Sequence, residues 1–227
     1  MHRARPLILA LGFMLSWQAG SAQDLSTYRV YALGSSIDTV LAAIGTRIEP
    51  AKTLHERPAL IQHLEWVAPY VLSDSTQADP VRAINFSFYN GALYQVVVTY
   101  DRDRTEGLTS TDIIESLSAT YGKATLASGK TRIALPTGTL ADSTVLARWD
   151  AAASSLTLVR GAYPPEFQLI LISKPLSVRA REAIREGVRL DAIDAPRRQS
   201  ALLEKEASDA TIARDKTRLT NKAAFRP

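Results

Sequence analysis

The sequence contains no cysteine in its 227 residues. This absence excludes disulfide bonds, thiol catalysis, zinc-thiolate sites and the acylated cysteine of an exported lipoprotein. The fold must therefore be held by its own hydrophobic core. Histidine is also scarce, with three residues, which leaves little material for a serine-histidine-acid triad.

Long apolar runs are missing as well, except near the N-terminus. Arg3 and Arg5 form a basic start, an apolar run covers residues 6–17, and Gly20 and Ala22 supply the small residues that a signal peptidase requires. A dozen apolar residues are too few to cross a membrane, which takes roughly 20 helical residues. We expect a signal peptide cleaved near Ala22, a periplasmic or secreted protein, and no transmembrane helix in the mature chain.

The positive net charge of +4 is confined to one end of the chain. Residues 23–175 hold 13 basic and 15 acidic side chains, whereas residues 176–227 hold 12 basic and 8 acidic ones. No aromatic residues interleave with the basic ones, and export removes the usual ligand. We therefore expect no binding of nucleic acid.

Two stretches of the chain share one order of signals. In each, a polar cap precedes an apolar helical stripe that a glycine ends: Ser35 and Gly45 in the first stretch, Thr109 and Gly122 in the second. Each helix is followed by a segment ending in tryptophan and by two more strand-like runs. The repetition predicts an α+β fold, with one antiparallel sheet built from two tandem αβββ units and the helices packed on one face, plus a C-terminal helix.

The predicted organisation has four parts. They are a signal peptide at 1–22, a first αβββ unit at 23–107, a second αβββ unit with the C-terminal helix at 108–194, and a polar basic tail at 195–227 that is partly disordered. The C-terminal helix is expected to begin with Ser177 as its cap and to end at Ala195-Pro196.

The strongest local signal is a hairpin between Val81–Phe88 and Leu93–Tyr100. A three-residue loop, Tyr89-Asn90-Gly91, would pair Phe86 with Tyr94 and place both apolar sets on one face. We predict this loop, with a bulge.

The segment Pro58 to Val67 fits two structures. It can be a strand with Leu60, Leu64 and Trp66 inward, or a helix starting at Pro58. The strand is favoured because Trp66 then matches Trp149 of the second unit.

Two segments resemble parts of uncharacterised exported bacterial proteins with no assigned activity. They are Thr53-Leu-His-Glu-Arg-Pro-Ala-Leu-Ile-Gln-His-Leu-Glu-Trp66 and Val97-Val-Thr-Tyr-Asp-Arg-Asp-Arg-Thr-Glu-Gly-Leu-Thr109. In layout only, the tandem units are similar to the β-lactamase inhibitor protein and to a small outer-membrane assembly lipoprotein, although this chain lacks the acylated cysteine of the latter. The resemblance covers Tyr28 to Ile184 and implies a fold without transferring any site.

One run imitates a phosphate-binding loop. Ala124-Thr-Leu-Ala-Ser-Gly-Lys-Thr131 satisfies the loose pattern, but its first glycine is missing, a predicted helix precedes it, and an extended segment follows. We interpret it as an ordinary exposed loop and expect no nucleotide site.

A second run has the spacing of a calcium-binding loop. Side chains with oxygen atoms occupy its positions 1, 3, 5, 9 and 12: Asp101, Asp103, Thr105, Thr109 and Asp112. Glu106 occupies the position where the sharp turn requires glycine, and a strand precedes the run instead of a helix. The competing interpretation is a strand-to-helix connection in which Thr109 and Asp112 cap the next helix.

His55, Glu56, His63 and Glu65 are the remaining candidates for metal or acid-base chemistry. Their spacing is not that of a His-Glu-x-x-His site. If the segment is a strand, His63 and Glu65 share its outward face, and a solvated pair is the ordinary interpretation.

The C-terminal helix carries a basic stripe formed by Arg181, Arg185 and Arg189, with Glu182 and Glu186 beside it. Such a stripe can contact an anionic surface or can simply be a solvated face.

Taken together, these patterns predict a non-enzymatic exported binding or envelope-assembly module that acts through contacts with a protein partner and needs no cofactor. The alternative is a calcium-dependent or hydrolytic enzyme that uses His55, His63, Asp101 and Asp103, which would have to converge in one pocket.

Overall fold

The computed structural model describes residues 24–45, 50–69, 79–134, 140–162 and 166–226. The predicted signal peptide lies outside these residues. The elements in chain order are β1 Thr27–Tyr28, β2 Tyr31–Ala32, α1 Ile37–Ile44, β3 Lys52–His55, β4 Ile61–Val67, β5 Val81–Tyr89, β6 Ala92–Tyr100, a 3₁₀ turn Asp103–Thr105, α2 Ser110–Tyr121, β7 Thr125–Ala134, β8 Leu140–Asp150, β9 Ser154–Gly161, β10 Phe167–Ser173 and α3 Lys174–Ala224.

The predicted α+β class with one large antiparallel sheet is confirmed. Eight strands lie in the order β3-β4-β5-β6-β10-β9-β8-β7, and every neighbouring pair is antiparallel. Each unit contributes one half of the sheet, and their last strands, β6 and β10, pair at the centre. Each half also contains one strand more than predicted, because β3 and β7 lie at the two outer edges.

Helices α1 and α2 pack on the same face of the sheet. The N-cap of α1 is Ser36, whose side chain accepts a hydrogen bond from the Thr39 N–H, so the predicted cap Ser35 is off by one residue. Gly45 ends α1 in the left-handed conformation, with φ of 66°. Val40 of α1 and Tyr121 of α2 reach the same hydrophobic core.

This core runs without a break under both units. Eight of its fully buried side chains come from the four central strands: Phe86, Phe88, Val96 and Val98 from the first unit, and Leu156, Leu158, Leu169 and Leu171 from the second. Trp149 is 2% exposed, and its indole N–H donates to the Gly122 carbonyl oxygen at 2.7 Å, which fixes the end of α2 on β8. The two repeats therefore share one core.

The hairpin of the first unit turns more tightly than predicted. Asn90 and Gly91 both have positive φ, 48° and 79°, and Tyr89 pairs directly with Ala92. Two left-handed residues are typical of a two-residue type I′ turn, which asparagine and glycine favour. The predicted loop over 89–91 is therefore wrong.

A bulge inside the hairpin restores the facing of its apolar residues. The register shifts between Ser87 and Phe88, so that Tyr94 has no direct partner and Phe86 pairs with Val96 in place of Tyr94. The physical requirement that both apolar sets share one face is met by the bulge, not by a longer loop.

The ambiguous segment is a strand, as favoured, because β4 covers Ile61–Val67. Leu64 is buried in the shared core, and Trp66 packs against it. The run that imitates a phosphate-binding loop is not an exposed loop, because all of it except Ala124 lies within β7, which pairs with β8. A strand at this position has neither the turn nor the following helix that would aim amide groups at phosphate.

Helix α3 differs from the prediction at both ends. It starts at Lys174 with Ser173 as the N-cap, and Ser177 lies buried inside it. It also continues through Pro196 to Ala224, a length of about 76 Å at 1.5 Å per residue. Residues 195–226 are exposed throughout. Among the described helices, none is both long and apolar enough to cross a membrane.

Candidate binding surface

The side chains of the calcium-like run are used by local backbone structure. One Asp101 carboxylate oxygen accepts hydrogen bonds from the N–H groups of Asp103 and Arg104, at 2.9 and 3.1 Å. The Thr105 hydroxyl donates to the Asp101 carbonyl oxygen at 2.8 Å. These contacts cap the 3₁₀ turn after β6 and direct the oxygen atoms towards the chain itself.

Thr109 and Asp112 form the predicted capping box of α2. The Thr109 N–H donates to the Asp112 carboxylate at 2.7 Å, and the Thr109 hydroxyl oxygen accepts from the Asp112 N–H at 3.2 Å. The hydrogen bonds from Thr109 hold the pKa of Asp112 below its ordinary value. Within the described ranges, no three histidine, aspartate or glutamate side chains come together in a metal-binding group.

The histidines and aspartates of the enzymatic alternative lie far apart along the sheet. His63 on β4 stands opposite Ser87, which stands opposite Gln95 on β6. Asp101 follows Gln95 by six residues, which corresponds to about 20 Å along an extended strand. His55 lies at the other end of the same strands, beside Ile61, and is farther still from Asp101. One pocket cannot hold all of them.

His63 is buried, contrary to the expected solvated position. Its side chain lies on the face opposite α1 and α2, and Nε2 is 3.1 Å from the Asn85 side-chain oxygen. Burial lowers the pKa of His63, with the Asn85 contact opposing this effect. Only Glu65 of the expected pair is exposed.

His55 lies beneath helix α3, in a group of side chains that we call the clasp, which comprises His55, Arg57, Asp191, Asp194 and Arg198. His55 Nδ1 is 3.4 Å from an Asp191 oxygen, Arg198 donates to Asp191 at 3.1 Å, and Arg57 pairs with Asp194. The clasp joins α3 to the edge of the sheet at β3.

Gly187 allows α3 to approach the sheet edge closely at this point. A Cβ atom on Gly187 would lie 2.9 Å from the Arg57 carbonyl oxygen and 3.0 Å from His55 Nδ1. Real Cβ atoms do not approach backbone oxygen so closely, so the absence of a side chain sets the position of the helix.

The predicted basic stripe on α3 is exposed but partly neutralised. Arg189 forms an ion pair with Glu186 at 2.6 Å, and Arg181 donates to the Ser177 carbonyl oxygen of its own helix. Arg185 lies exposed between them. The stripe is therefore a weaker candidate for an anionic contact than its spacing indicated.

A broader candidate lies on the face of the sheet opposite α1 and α2. We call it the open face and define it by seven uncharged side chains, most of them half-buried: Asn85, Gln95, Val97, Thr157, Gln168, Ile170 and Ile172. They alternate along β5, β6, β9 and β10 with the core residues, which point to the helices.

One cross-strand row shows the composition of this surface. Glu65, Asn85, Val97, Ile170, Thr157 and Arg148 are successive partners across six strands. At about 4.8 Å between strands, the row is about 24 Å long. Its two ends are charged and exposed, and its four central members carry no charge.

Helix α3 borders the open face without covering it. Ala180 and Ala183 pack on Ile61 and Tyr94, near the hairpin end of β4 and β6. Among the described residues, no other helix packs on this side of the sheet. The open face is therefore a surface walled on one side.

The sequence contains a signal for this surface that strand periodicity alone obscures. Both Val96-Val97-Val98 and Leu169-Ile170-Leu171 are continuous apolar runs, so apolar side chains point to both faces of the two central strands. A strand with one solvated face would alternate with polar residues. The continuous runs indicate that the second face of these strands is also apolar.

Known proteins give no further guidance to function. Comparisons with protein families, with curated proteins and with solved structures find no match to this chain. The similarity of layout to the β-lactamase inhibitor protein and to an outer-membrane assembly lipoprotein stays a prediction, and the functional proposal rests on the geometry of the open face.

Proposed function

We propose that this protein is a non-enzymatic, exported binding module of the cell envelope that holds a protein partner on the open face of its sheet. The observation that carries the proposal is the row from Glu65 to Arg148, which has an uncharged centre and charged ends. Protein interfaces have this composition, because charged residues are depleted at their centre and retained at the rim.

The size of the surface supports a macromolecular partner. The uncharged residues span four central strands, and the charged ends extend the surface to six. A standard interface buries about 800 Å² on each partner, and the open face with its rim and the adjoining wall of α3 fits the centre of such a patch. Small molecules are usually bound in enclosed pockets lined by converging polar groups.

The compartment is proposed from the N-terminal pattern of a basic start, an apolar run and small residues up to Ala22. We expect the native protein in the periplasm or outside the cell, beginning near residue 23. Fractionation of cells and N-terminal sequencing of the purified protein would test this. Recovery of a cytosolic chain that retains Met1 would contradict it.

Site-specific crosslinking in intact cells tests the binding surface directly. A photoreactive amino acid replaces Thr157, which lies on the open face, or Glu115, an exposed residue on the helical side. We expect a protein adduct from position 157 that mass spectrometry identifies as one species, and no such adduct from position 115.

A pair of charge variants then tests whether the adduct reports specific binding. Thr157→Lys and Gln95→Lys each place a charge in the uncharged centre and should abolish co-purification of the crosslinked protein, whereas the matched control Glu115→Lys should leave it intact. Circular dichroism would establish that all three variants fold. Co-purification that survives both open-face substitutions would refute this binding surface.

A further inference from the structure

The last thirty residues of helix α3 project away from the sheet. Asp194 pairs with Arg57 in the clasp, and every residue from 195 to 226 is exposed. The helix continues to Ala224, which carries it about 45 Å beyond the clasp at 1.5 Å per residue. Whatever the end of α3 contacts therefore lies well away from the open face.

The exposed part of α3 carries its charge unevenly. Residues 195–210 hold three basic and three acidic side chains, whereas residues 211–226, which we call the basic tip, hold five basic side chains and one acidic. The charged residues of the basic tip are Arg214, Asp215, Lys216, Arg218, Lys222 and Arg226. Both halves are equally exposed, so exposure to water does not by itself explain an excess of one sign in the second half.

An apolar line runs along one side of the basic tip. At 100° per residue, Leu219 and Ala223 lie within about 20° of Ile212 around the helix axis. Ile212 is 63% exposed and Leu219 is 59% exposed. Two large aliphatic side chains, two turns apart, thus face solvent together.

Unpaired cations lie on both flanks of this apolar line. Lys216 is about 40° from Ile212 in one direction, and Arg226 and Lys222 are about 40° and 80° from it in the other. Among the described residues, none of these three cations forms an ion pair.

The single acid of the basic tip is already paired. Asp215 lies on the same side as the apolar line, but its carboxylate is 3.4 Å from the Arg218 guanidinium. The side of the helix that carries Ile212 and Leu219 therefore presents apolar groups in the middle and net positive charge at its edges.

This arrangement fits the boundary between lipid headgroups and acyl chains. Helices that lie in this boundary place apolar side chains towards the acyl region, and lysine and arginine at the edges extend their charged ends to the phosphates. A duplex of nucleic acid would contact the cations but would gain nothing from an apolar line between them.

We propose that the basic tip of α3 binds the surface of a membrane that contains anionic lipids, with Ile212 and Leu219 towards the acyl chains and Lys216, Lys222 and Arg226 at the headgroup phosphates. The helix lies on the membrane and does not cross it. This contact is separate from the open face, which remains about 45 Å from the tip and free to hold a protein partner.

Flotation of the full mature chain with lipid vesicles tests the proposal. We expect the protein to float with vesicles of phosphatidylcholine mixed with phosphatidylglycerol, and to stay behind with vesicles of phosphatidylcholine alone. Raising sodium chloride from about 0.1 M to about 1 M should release most of it, because the Debye length falls from about 10 Å to about 3 Å.

A pair of charge variants locates the contact. Lys216→Gln combined with Lys222→Gln should weaken binding to the anionic vesicles about 25-fold, at roughly fivefold for each charge removed near the surface. The matched control combines Lys123→Gln with Lys130→Gln, two exposed lysines at the outer edge of the sheet, and removes the same net charge. It should change binding by less than about twofold, because those lysines lie many Debye lengths from the tip.

A pair of leucine variants separates lipid from soluble polyanions. Leu219→Gln should weaken binding to anionic vesicles by about tenfold, since it removes an apolar side chain from the acyl region. Leu203→Gln, at a leucine that is also 59% exposed but lies in the neutral half, should have little effect. Any weak binding to a DNA duplex or to polyglutamate should be the same in both variants. Circular dichroism would establish that all variants keep the helix.

Several outcomes would overturn the proposal. They are equal flotation with both kinds of vesicle, flotation that survives the two lysine substitutions in the tip, and equal effects of Leu203→Gln and Leu219→Gln. Binding to DNA or polyglutamate without flotation would assign the basic tip to a soluble polyanion instead. None of these variants alters the open face, so crosslinking at position 157 should be unchanged, and failure of one contact is distinguishable from failure of the other.

Discussion

The two units have the same order of elements and the same core face, but they differ on the opposite face. In the first unit, α3 covers Ile61 and Tyr94 near the hairpin, and the clasp fixes the helix to the edge strand. In the second unit, Val145 and Val159 form a small cluster with Ile170, and no described helix packs there. The repeated order of elements thus produces the same core face in both units, whereas the opposite face differs between them.

The largest expected effect is a loss of stability on truncation of core side chains, which tests whether the two units unfold together. Phe86→Ala in the first unit and Leu158→Ala in the second each remove a fully buried side chain. We expect losses of about 3–5 and 2–5 kcal/mol in the free energy of unfolding. Denaturant unfolding followed by tryptophan fluorescence would report both units, because Trp66 lies in one and Trp149 in the other.

In both variants the unfolding transition should stay single. Leu126→Ala, at a side chain that is 73% exposed, serves as the control and should change stability by less than about 0.5 kcal/mol. Separate transitions for the two units would contradict a continuous core.

Gly187→Ala tests the close contact between α3 and the sheet edge at β3, which belongs to the first unit. In an exposed helix this change would stabilise by about 1 kcal/mol, but here the new Cβ meets the Arg57 carbonyl oxygen. We expect a loss of about 1–3 kcal/mol and faster proteolysis of α3. Ser200→Ala, on the exposed part of the same helix, should be neutral or slightly stabilising, and equal behaviour of the two variants would argue against close docking.

Substitution of Trp66 in the first unit and of Trp149 in the second compares how much each tryptophan contributes to stability. Trp149→Phe removes the hydrogen bond to the Gly122 carbonyl oxygen and should cost about 1–3 kcal/mol. Trp66→Phe, at a half-buried site, should cost less than Trp149→Phe. Paired urea titrations would measure the difference, and a larger loss at position 66 would show that the hydrogen bond of Trp149 is not the stronger anchor.

The smallest effect concerns pH and belongs to the first unit, which contains the buried His63. Burial lowers its pKa below the ordinary 6.5, so the unfolded chain takes up the proton first. Its contribution to stability is complete above pH 6.5 and is lost as the pH falls through the folded pKa. Unfolding at pH 7.5 and 5.5 should show a smaller loss in His63→Gln than in the parent or in His55→Gln, and an unchanged loss would assign the effect elsewhere.

The parts of the fold that the sequence predicts are those with a buried, periodic face. Both core helices and the six inner strands follow from apolar stripes that end at glycine or at turn residues, as in Ile37–Ile44 and Ile61–Val67. The outer strands β3 and β7 were missed because an edge strand buries little. Lys52–His55 and Thr125–Ala134 are rich in polar residues, as exposed edges are.

Helix α3 was cut short because Pro196 normally ends a helix. The residues after it are mostly alanine, leucine, glutamate, lysine and arginine, which favour helix strongly enough to continue it. The predicted hairpin register was wrong because the bulge lies within β6 at Tyr94 and not in the loop, where it was predicted. The apolar pattern predicts which residues share a face of the sheet more reliably than it predicts the length of a loop.

The candidate surface was only partly predictable. The prediction of helices packed on one face of the sheet implies an opposite face without them, but the residues at its centre depend on how two distant segments pair. Val97 and Ile170 lie 73 positions apart in the sequence and become neighbours only when β6 meets β10. The short sequence motifs, by contrast, have local structural roles. The calcium-like run caps a 3₁₀ turn and α2, and the run that imitates a phosphate-binding loop forms part of β7.

The central pairing of β6 with β10 also shapes how the molecule is assembled. Until residues 167–173 are made and docked, Ala92–Tyr100 is a nine-residue edge strand without a single charged side chain. Such a strand readily pairs with other chains. Truncation before residue 167 should therefore yield aggregates, and a peptide copy of β10 added during refolding should suppress them.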